Sequence, residues 1–347
     1  SFFISYDGVS QSWEQESIIK ATKQDVNDYL GWSVAISGDY AITGAYGDHD
    51  DANEINAGKS GSAYIFKKNA DNTWTTIQKI SPSDIGGSFG HSVAISSDYI
   101  VVGAPTQATA VTQYFNAGVA YIFEKDASGK WIEVKKVISS DQNGYDYFGS
   151  AVVISGNTIV IGAPGKSRNG FSNGGAAYVF ERENGTWTEK QILKSADDVQ
   201  FALFGSSIAI QDDKVLIGSI QGSGVNNSGA VYFFQKNGTD WIEKQKLTGT
   251  EDFSGNQFGN AIDLLDDELM VGSQNEYVHH GAVFFYKYEN GSWTFRQKVT
   301  AAVPSQIGYG FSVALGKDKA IVGAEGSSPA FVLKKNADGM WINDQKL

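Results

Sequence analysis

The sequence predicts an all-β protein of the β-propeller class, built from four-stranded antiparallel blades. A phrase that opens on a large apolar residue followed by Gly recurs six times along 347 residues, at intervals of 51 to 59 residues, and such a period indicates a repeat architecture. Each copy holds four short runs rich in β-branched and aromatic residues, as strands are. The 40 Gly, 20 Phe and 16 Tyr beside only 5 Pro suit many short strands joined by tight turns.

Two markers define the repeats and their number. The six openings are Leu30-Gly31, Phe89-Gly90, Phe148-Gly149, Phe204-Gly205, Phe258-Gly259 and Tyr309-Gly310, and a Trp after a turn marks seven positions, Trp13, Trp74, Trp131, Trp187, Trp241, Trp293 and Trp341. We predict one domain over residues 1–347, with a partial blade over 1–29 and full blades over 30–88, 89–147, 148–203, 204–257, 258–308 and 309–347.

Seven blades are expected, because residues 2–20 match the third and fourth strands of a blade whose first two strands are missing. Six blades with an extra hairpin is the alternative. Small residues in the first two strands of each repeat predict close backbone approach where the blades crowd together.

The third repeat shows how each blade is built. Strand A is predicted over residues 148–154, B over 158–163, C over 175–180 and D over 186–193. Tiny turns join A to B and C to D, whereas B to C and D to A are longer and irregular. Successive connections of an antiparallel meander alternate between the strand ends, so the long loops share one face. Loop-borne function is expected on that long-loop face.

Charge and composition exclude several classes of function. The net charge of -12 argues against binding nucleic acid, which requires clustered Lys and Arg. Without Cys there is no disulfide and no thiolate chemistry. No apolar run is long enough to span a membrane. The start SFFISYDG lacks signal-peptide features, and we expect a processed or trimmed chain.

Two copies of the phrase carry a family resemblance. Residues 89–95 read FGHSVAI and are followed by VGAP at 102–105, and Phe148-Gly149 is followed by IGAP at 161–164. These residues resemble the FG-GAP repeat of the integrin α-subunit propeller and of many bacterial surface proteins. The resemblance implies a seven-bladed propeller, extracellular or at the cell surface, that serves adhesion or ligand binding without catalysis.

One departure from the family concerns calcium. Calcium-binding members of the family carry a DxDxDG-type loop between strands A and B, but here that connection has shrunk to turns such as Ser37-Gly38-Asp39. The family's calcium sites therefore do not carry over to this chain, and no cofactor is assigned. Calcium binding elsewhere stays open.

Two loops contain residues that suit metal ions. The acidic loop with Asp48, Asp50, Asp51 and Glu54 offers the oxygen ligands that hard cations prefer, although a solvated loop without a metal is the favoured interpretation. His279 and His280 would suit a transition metal, but neighbours in an extended chain point apart.

Ligand-contact residues are sought at the variable position after each Phe-Gly and in the B-to-C loops. The variable position holds Trp32, His91, Asn260 and Phe311, which either line a channel mouth and contact a ligand or fill the hub. The loop candidates are Tyr114, Phe115, Lys166, Arg168, Phe171, Tyr277 and His279. The turn-following Trp residues are expected to be packing residues, and Trp32 lies outside their pattern.

The functional prediction follows from long loops without catalytic motifs. The sequence contains no nucleophile elbow, no HExxH and no phosphate loop. We expect a non-catalytic recognition or adhesion module that binds a protein or glycan through the long-loop face. The alternatives are a polysaccharide hydrolase or lyase at the channel mouth, and a structural segment of a larger surface assembly.

Overall fold

The computed structural model describes residues 27–347 except 49–60, 85–86, 109–114, 168–169, 171, 198, 221–227, 250–255, 276–279, 302–307 and 326–328. Strands are the regular elements of this described part, which contains no helix. It therefore holds no helix that is long and apolar enough to cross a membrane. The strands form six four-stranded sheets, and in each sheet the strands follow one another in sequence order.

The sheets are the blades of an all-β propeller fold with antiparallel pairing throughout. Blade 1 contains β1 (Val34–Ser37), β2 (Tyr40–Ala45), β3 (Ser62–Lys68) and β4 (Trp74–Ile80). Blade 2 contains β5 (Ser92–Ile95), β6 (Tyr99–Ala104), β7 (Val119–Lys125) and β8 (Trp131–Val137). Blade 3 contains β9 (Ala151–Ser155), β10 (Thr158–Ala163), β11 (Ala176–Glu183) and β12 (Thr186–Leu193).

The remaining blades repeat this plan. Blade 4 contains β13 (Phe204–Gln211), β14 (Lys214–Ser219), β15 (Ala230–Asn237) and β16 (Asp240–Leu247). Blade 5 contains β17 (Phe258–Leu265), β18 (Glu268–Ser273), β19 (Ala282–Glu289) and β20 (Ser292–Thr300). Blade 6 contains β21 (Ser312–Leu315), β22 (Lys319–Gly323), β23 (Phe331–Lys335) and β24 (Trp341–Lys346).

The predicted count of seven blades was wrong, because the described residues form six sheets. The surplus in the count came from residues 2–20, which match only half of a four-stranded sheet. The hairpin predicted there lies outside the described residues. The alternative of six blades is the number that the structure shows.

The chain divides into two compact units. The first comprises Ser1–Lys166 with Tyr178–Ile192, and the second comprises Ser167–Ala177 with Leu193–Leu347. In the first unit, side chains of blades 1 and 2 such as Ile42 and Val93 share one buried cluster. In the second, side chains of blades 4 and 5 such as Phe233 and Phe284 do the same. The single-domain interpretation of the whole chain stays a prediction.

The Phe-Gly phrase is explained by backbone geometry. Gly149 has a φ of 93°, which L-residues with a side chain rarely adopt, and its amide donates to the Gly162 carbonyl at 2.9 Å. A Cβ atom on Gly103 of blade 2 would lie 2.0 Å from the Gly149 carbonyl oxygen. The predicted close approach of backbones is therefore confirmed at this position. Phe148 itself is fully buried against Tyr178.

The turn-following Trp residues are packing residues, as predicted, at Trp131, Trp187, Trp241, Trp293 and Trp341, all of which are buried. A side-chain amide from the preceding blade also holds the backbone of three of them. Gln78 accepts from the Trp131 amide at 2.9 Å and donates to its carbonyl at 2.7 Å. Gln245 pairs with Trp293 and Gln297 pairs with Trp341 in the same way.

Candidate functional site

Four rings meet where strand A of blade 1 begins and strand B ends. Tyr29 precedes Leu30-Gly31, Trp32 follows it, Tyr46 comes directly after β2, and His91 holds the position of Trp32 in blade 2. We call these four residues the blade 1 aromatic cluster. Its position at the end of β2 is the start of the B-to-C loop, so the cluster lies at the long-loop ends of the strands.

The cluster combines a stacked pair with a perpendicular ring. The Tyr29 and Tyr46 rings are parallel within 4°, with centroids 4.8 Å apart. The Trp32 ring meets Tyr46 at 73° and 5.1 Å and Tyr29 at 77° and 6.4 Å. Both arrangements are favourable for aromatic quadrupoles. Tyr29 is nevertheless 46% exposed and Trp32 51% exposed, so the rings are ordered and accessible together.

Backbone hydrogen bonds hold the rings of the cluster in place. The Trp32 amide donates to the Tyr29 carbonyl at 3.1 Å, and the Gly47 amide donates to the Asp28 carbonyl at 3.2 Å. Tyr29 has a φ of 55°, an unusual conformation for a residue with a bulky side chain. A Cβ atom on Gly47 would lie 2.0 Å from the Asn27 carbonyl oxygen, so Gly at this position permits the close approach of the two segments.

His91 adds a neutral ring beside Trp32 and Tyr46, at 5.9 Å from each ring centroid. Burial lowers the pKa of His91 below its ordinary value, and a hydrogen bond with the Ser150 backbone opposes that shift. The imidazole is therefore neutral at pH 7. In the described part of the chain, its Nδ1 atom is buried and has no hydrogen-bond partner.

Three other predicted contact residues take different positions. Phe115 is 70% exposed at the end of its B-to-C loop. In the second unit, Phe311 is exposed, whereas the Asn260 side chain is occupied. Its Nδ2 donates to the Gly310 carbonyl at 2.9 Å and its Oδ1 accepts from the Gln274 amide at 3.0 Å. Asn260 therefore ties two blades together, as the hub-filling alternative suggests.

Lys166 and Asp48 are not the exposed loop residues that the sequence suggested. The side chain of Lys166 is 5% exposed, and its ammonium lies 3.1 Å from Asp141 and 3.0 Å from Asp146. Asp48 is 1% exposed; it accepts from the Tyr64 hydroxyl at 2.6 Å and pairs with Lys79 at 3.0 Å. The burial of both side chains corrects the expectation that they lie exposed in their loops, because each has partners inside the protein.

These contacts belong to a recurring arrangement that sequence reasoning missed. In four blades a strand C Tyr donates to a carboxylate that also binds a Lys, and we call each a Tyr–Asp–Lys set. The sets are Tyr64, Asp48 and Lys79; Tyr121, Asp84 and Lys136; Tyr178, Asp141 and Lys166; and Tyr232, Asp197 and Lys246. The available signal was a Tyr at one position of strand C in four repeats, replaced by Phe284 and Phe331 in the last two.

The carboxylates of these sets are held ionised where the Lys contact is strong. Burial alone would raise the pKa of Asp84, but hydrogen bonds from Lys136 and Tyr121 outweigh it and lower the pKa below its ordinary value. Asp197 behaves in the same way with Lys246 and Tyr232. These groups serve the scaffold, and none lies in the blade 1 aromatic cluster.

The other predicted site residues lie outside the described residues, namely Asp50, Asp51, Glu54, Tyr114, Arg168, Phe171, Tyr277 and His279. Within the described ranges there is no group of three or more His, Asp or Glu side chains that could hold a metal ion. The metal predictions on the acidic loop and on His279 therefore remain predictions.

Comparison with known sequences identifies the family of the chain. The profile of the FG-GAP repeat matches residues 13–66, 74–123, 131–180 and 187–234, which together make up more than half of the chain. The chain belongs to the FG-GAP repeat family. The matched repeats end in the strand C segments that carry the Tyr of each Tyr–Asp–Lys set.

A curated relative is integrin alpha-PS3 of Drosophila melanogaster, which is 31% identical over 174 residues. That alignment covers 47% of this chain and 14% of the integrin. The chain thus corresponds to a small part of that relative.

Solved structures show a similar fold. Two of them are named as putative 6-phosphogluconolactonases, from Bacteroides uniformis and Bacteroides fragilis. The first has a TM-score of 0.60 at 12% identity over 88% of this chain and 82% of its own. The second has a TM-score of 0.59 at 11% identity over 90% and 82%. At these identities the likeness concerns the fold alone.

Proposed function

We propose that this FG-GAP protein is a non-catalytic recognition module, acting outside the cell or at its surface, that binds a protein or glycan through the long-loop ends of its blades. The observation that carries the proposal is the blade 1 aromatic cluster. Five of the Trp residues at the repeating position after the turn are buried, from Trp131 to Trp341, but Trp32 presents half of its surface to water beside an exposed Tyr29. Ordered and exposed aromatic groups are typical of binding surfaces.

Family membership and the integrin relative support a binding role at the cell surface. The printed names of the similar structures do not extend to this chain, because 12% identity supports a shared fold and fold does not determine function.

An array of glycans and proteins, probed with and without calcium, tests the proposal directly. We expect specific binding, and we expect its loss when short turns replace residues 46–60 and 105–117. Circular dichroism should still show a folded β protein, at a lower melting temperature, because residues 46–60 include Asp48, whose buried carboxylate binds Tyr64 and Lys79. A matched control changes Asn157 to Asp in the A-to-B turn of blade 3, at the opposite strand ends. Array ligands bound with unaltered affinity by the short-turn variant would refute the proposal.

A further inference from the structure

We propose that the blade 1 aromatic cluster is a stacking platform for the apolar face of a pyranose ring in a neutral glycan. This inference rests on the proposed function and names the ligand class of that same site. It starts from the observation that three aromatic side chains are ordered against one another while two of them stay about half exposed. Covering such apolar surface with a ligand is favourable in water.

The shape of the cluster favours a flat ligand over a cation. An aromatic cage places a cation between ring faces. Here the faces of Tyr29 and Tyr46 lie on each other at 4.8 Å, so there is no room between them. The perpendicular Trp32 ring makes a corner with this pair. A pyranose ring, which has a flat C–H face and hydroxyl groups at its edge, fits a platform with a corner.

The electrical neutrality of the cluster favours a neutral sugar. Its rings come from Tyr, Trp and a His91 whose lowered pKa keeps it uncharged at pH 7. The protein carries a net charge of -12, which disfavours acidic glycans at low ionic strength. The hydroxyls of Tyr29 and Tyr46 both donate and accept hydrogen bonds, as sugar hydroxyls do. Burial also raises the pKa of Tyr46, so its hydroxyl keeps its proton.

The size of the cluster favours a sugar over a protein partner. A stable protein interface takes roughly 20–30 residues on each side, whereas this cluster consists of four side chains. One or two sugar rings match its extent. A protein ligand is therefore treated as an alternative outcome of the test.

Blade 3 supplies the variant that removes the platform and keeps the backbone. Ser150 and Pro164 stand where blade 1 has Trp32 and Tyr46. The Ser150 amide donates to Tyr147 at 3.1 Å, and the Trp32 amide donates to Tyr29 at the same distance. The double substitution Trp32→Ser and Tyr46→Pro therefore introduces residues that this backbone already accepts in blade 3.

The experiment measures the affinity of neutral pyranosides taken from the glycan array, by titration calorimetry and saturation-transfer NMR. We expect about a tenfold loss of affinity in the Trp32→Ser, Tyr46→Pro variant, since it removes two of the aromatic rings that would contact the sugar. A variant with Trp32→Phe should keep part of the affinity. In the wild type, saturation should be strongest at the C–H groups of one sugar face. Near-ultraviolet circular dichroism and the melting temperature verify that each variant is folded.

The outcomes separate this inference from the proposed function. Glycan binding that the double substitution leaves unchanged overturns the platform but not the binding role. If no sugar binds and the double substitution abolishes binding of a protein ligand, the site is correct but the sugar assignment is overturned. If no sugar binds but tetramethylammonium competes with the bound ligand, the sugar assignment is also overturned, and the site binds a cation. The absence of any ligand across both arrays removes the proposed function and this inference together.

Discussion

Blades 1 and 3 have the same framework and different surfaces. Four backbone hydrogen bonds recur around the turn that is Leu30-Gly31 in blade 1 and Phe148-Gly149 in blade 3. In blade 1 they run from Gly31 to Gly44, Trp32 to Tyr29, Gly47 to Asp28 and Asp48 to Ala45. In blade 3 they run from Gly149 to Gly162, Ser150 to Tyr147, Gly165 to Asp146 and Lys166 to Ala163. The side chains on this framework differ, because blade 1 has Trp and Tyr where blade 3 has Ser and Pro. The framework therefore does not depend on the side chains at these two positions.

The same comparison shows a reversal of charge beneath the surface. Asp48 and Lys166 occupy one position of the two B-to-C loops, and both are buried. In blade 1 the loop supplies the carboxylate and Lys79 of strand D supplies the cation. In blade 3 the loop supplies the cation, and Asp141 and Asp146 from the preceding loop supply the carboxylates. Blades 1 and 3 thus share a paired Tyr and an ion pair, but they differ in where each sign is placed.

The largest predicted effect comes from breaking these pairs. Asp48→Ala leaves Lys79 and the Tyr64 hydroxyl without their acceptor, and Lys166→Ala leaves the buried Asp146 without its cation. We expect Lys166→Ala to lower the free energy of unfolding by about 3 kcal/mol, because it strands the buried Asp146 carboxylate. Asp48→Ala should lower it by about 2 kcal/mol, because it leaves the buried Tyr64 hydroxyl without its acceptor. Urea denaturation measures the loss.

A control from blade 3 separates a buried pair from a surface pair. Lys190 and Glu183 form a contact at 2.7 Å, with side chains 30% and 58% exposed. Lys190→Ala should change the stability by less than about 1 kcal/mol. Equal losses for Lys190→Ala and Lys166→Ala would contradict the importance assigned to burial.

Much of the framework was predictable from the sequence because it is periodic. The predicted strands at residues 158–163 and 186–193 coincide with β10 and β12. Strand A was predicted to start at Phe148 but begins at Ala151, after a turn in which Gly149 has a φ of 93° and the Ser150 amide bonds to Tyr147. Alternation of residue types does not report such a turn.

The candidate site was predictable only in part. Trp32 was found because it breaks the pattern of the repeating Trp residues. Tyr29 and Tyr46 were missed, since their stacking depends on a positive φ at Tyr29 that no local residue type signals. The Tyr–Asp–Lys sets were missed because their members come from different loops and strands, and the sign of the charge at one position changes from blade to blade.

A second prediction concerns the apolar face of strand A. Val34 and Val152 are equivalent, but Val34 is 59% exposed and Val152 is 5% exposed. Val152→Ala should therefore lower the free energy of unfolding by about 2 kcal/mol, because it removes two buried methyl groups and leaves a cavity. Val34→Ala should fall within about 0.5 kcal/mol of the wild type. Thermal and urea unfolding of the two variants decide the matter, and similar costs at both positions would disprove the difference in burial.

The smallest predicted effect concerns His91, which contacts Trp32 and bonds to the backbone of Ser150, and so touches both blades compared above. Because its pKa is lower in the folded protein than in the unfolded chain, the unfolded chain binds more protons as the pH falls below about 6.5. The contribution of His91 to stability is therefore complete above that pH and declines on acidification toward the folded pKa. His91→Gln, which cannot titrate, should show a shallower fall in the urea midpoint between pH 7.5 and pH 5 than the wild type. Parallel pH profiles would mean that the imidazole is not desolvated between the two blades.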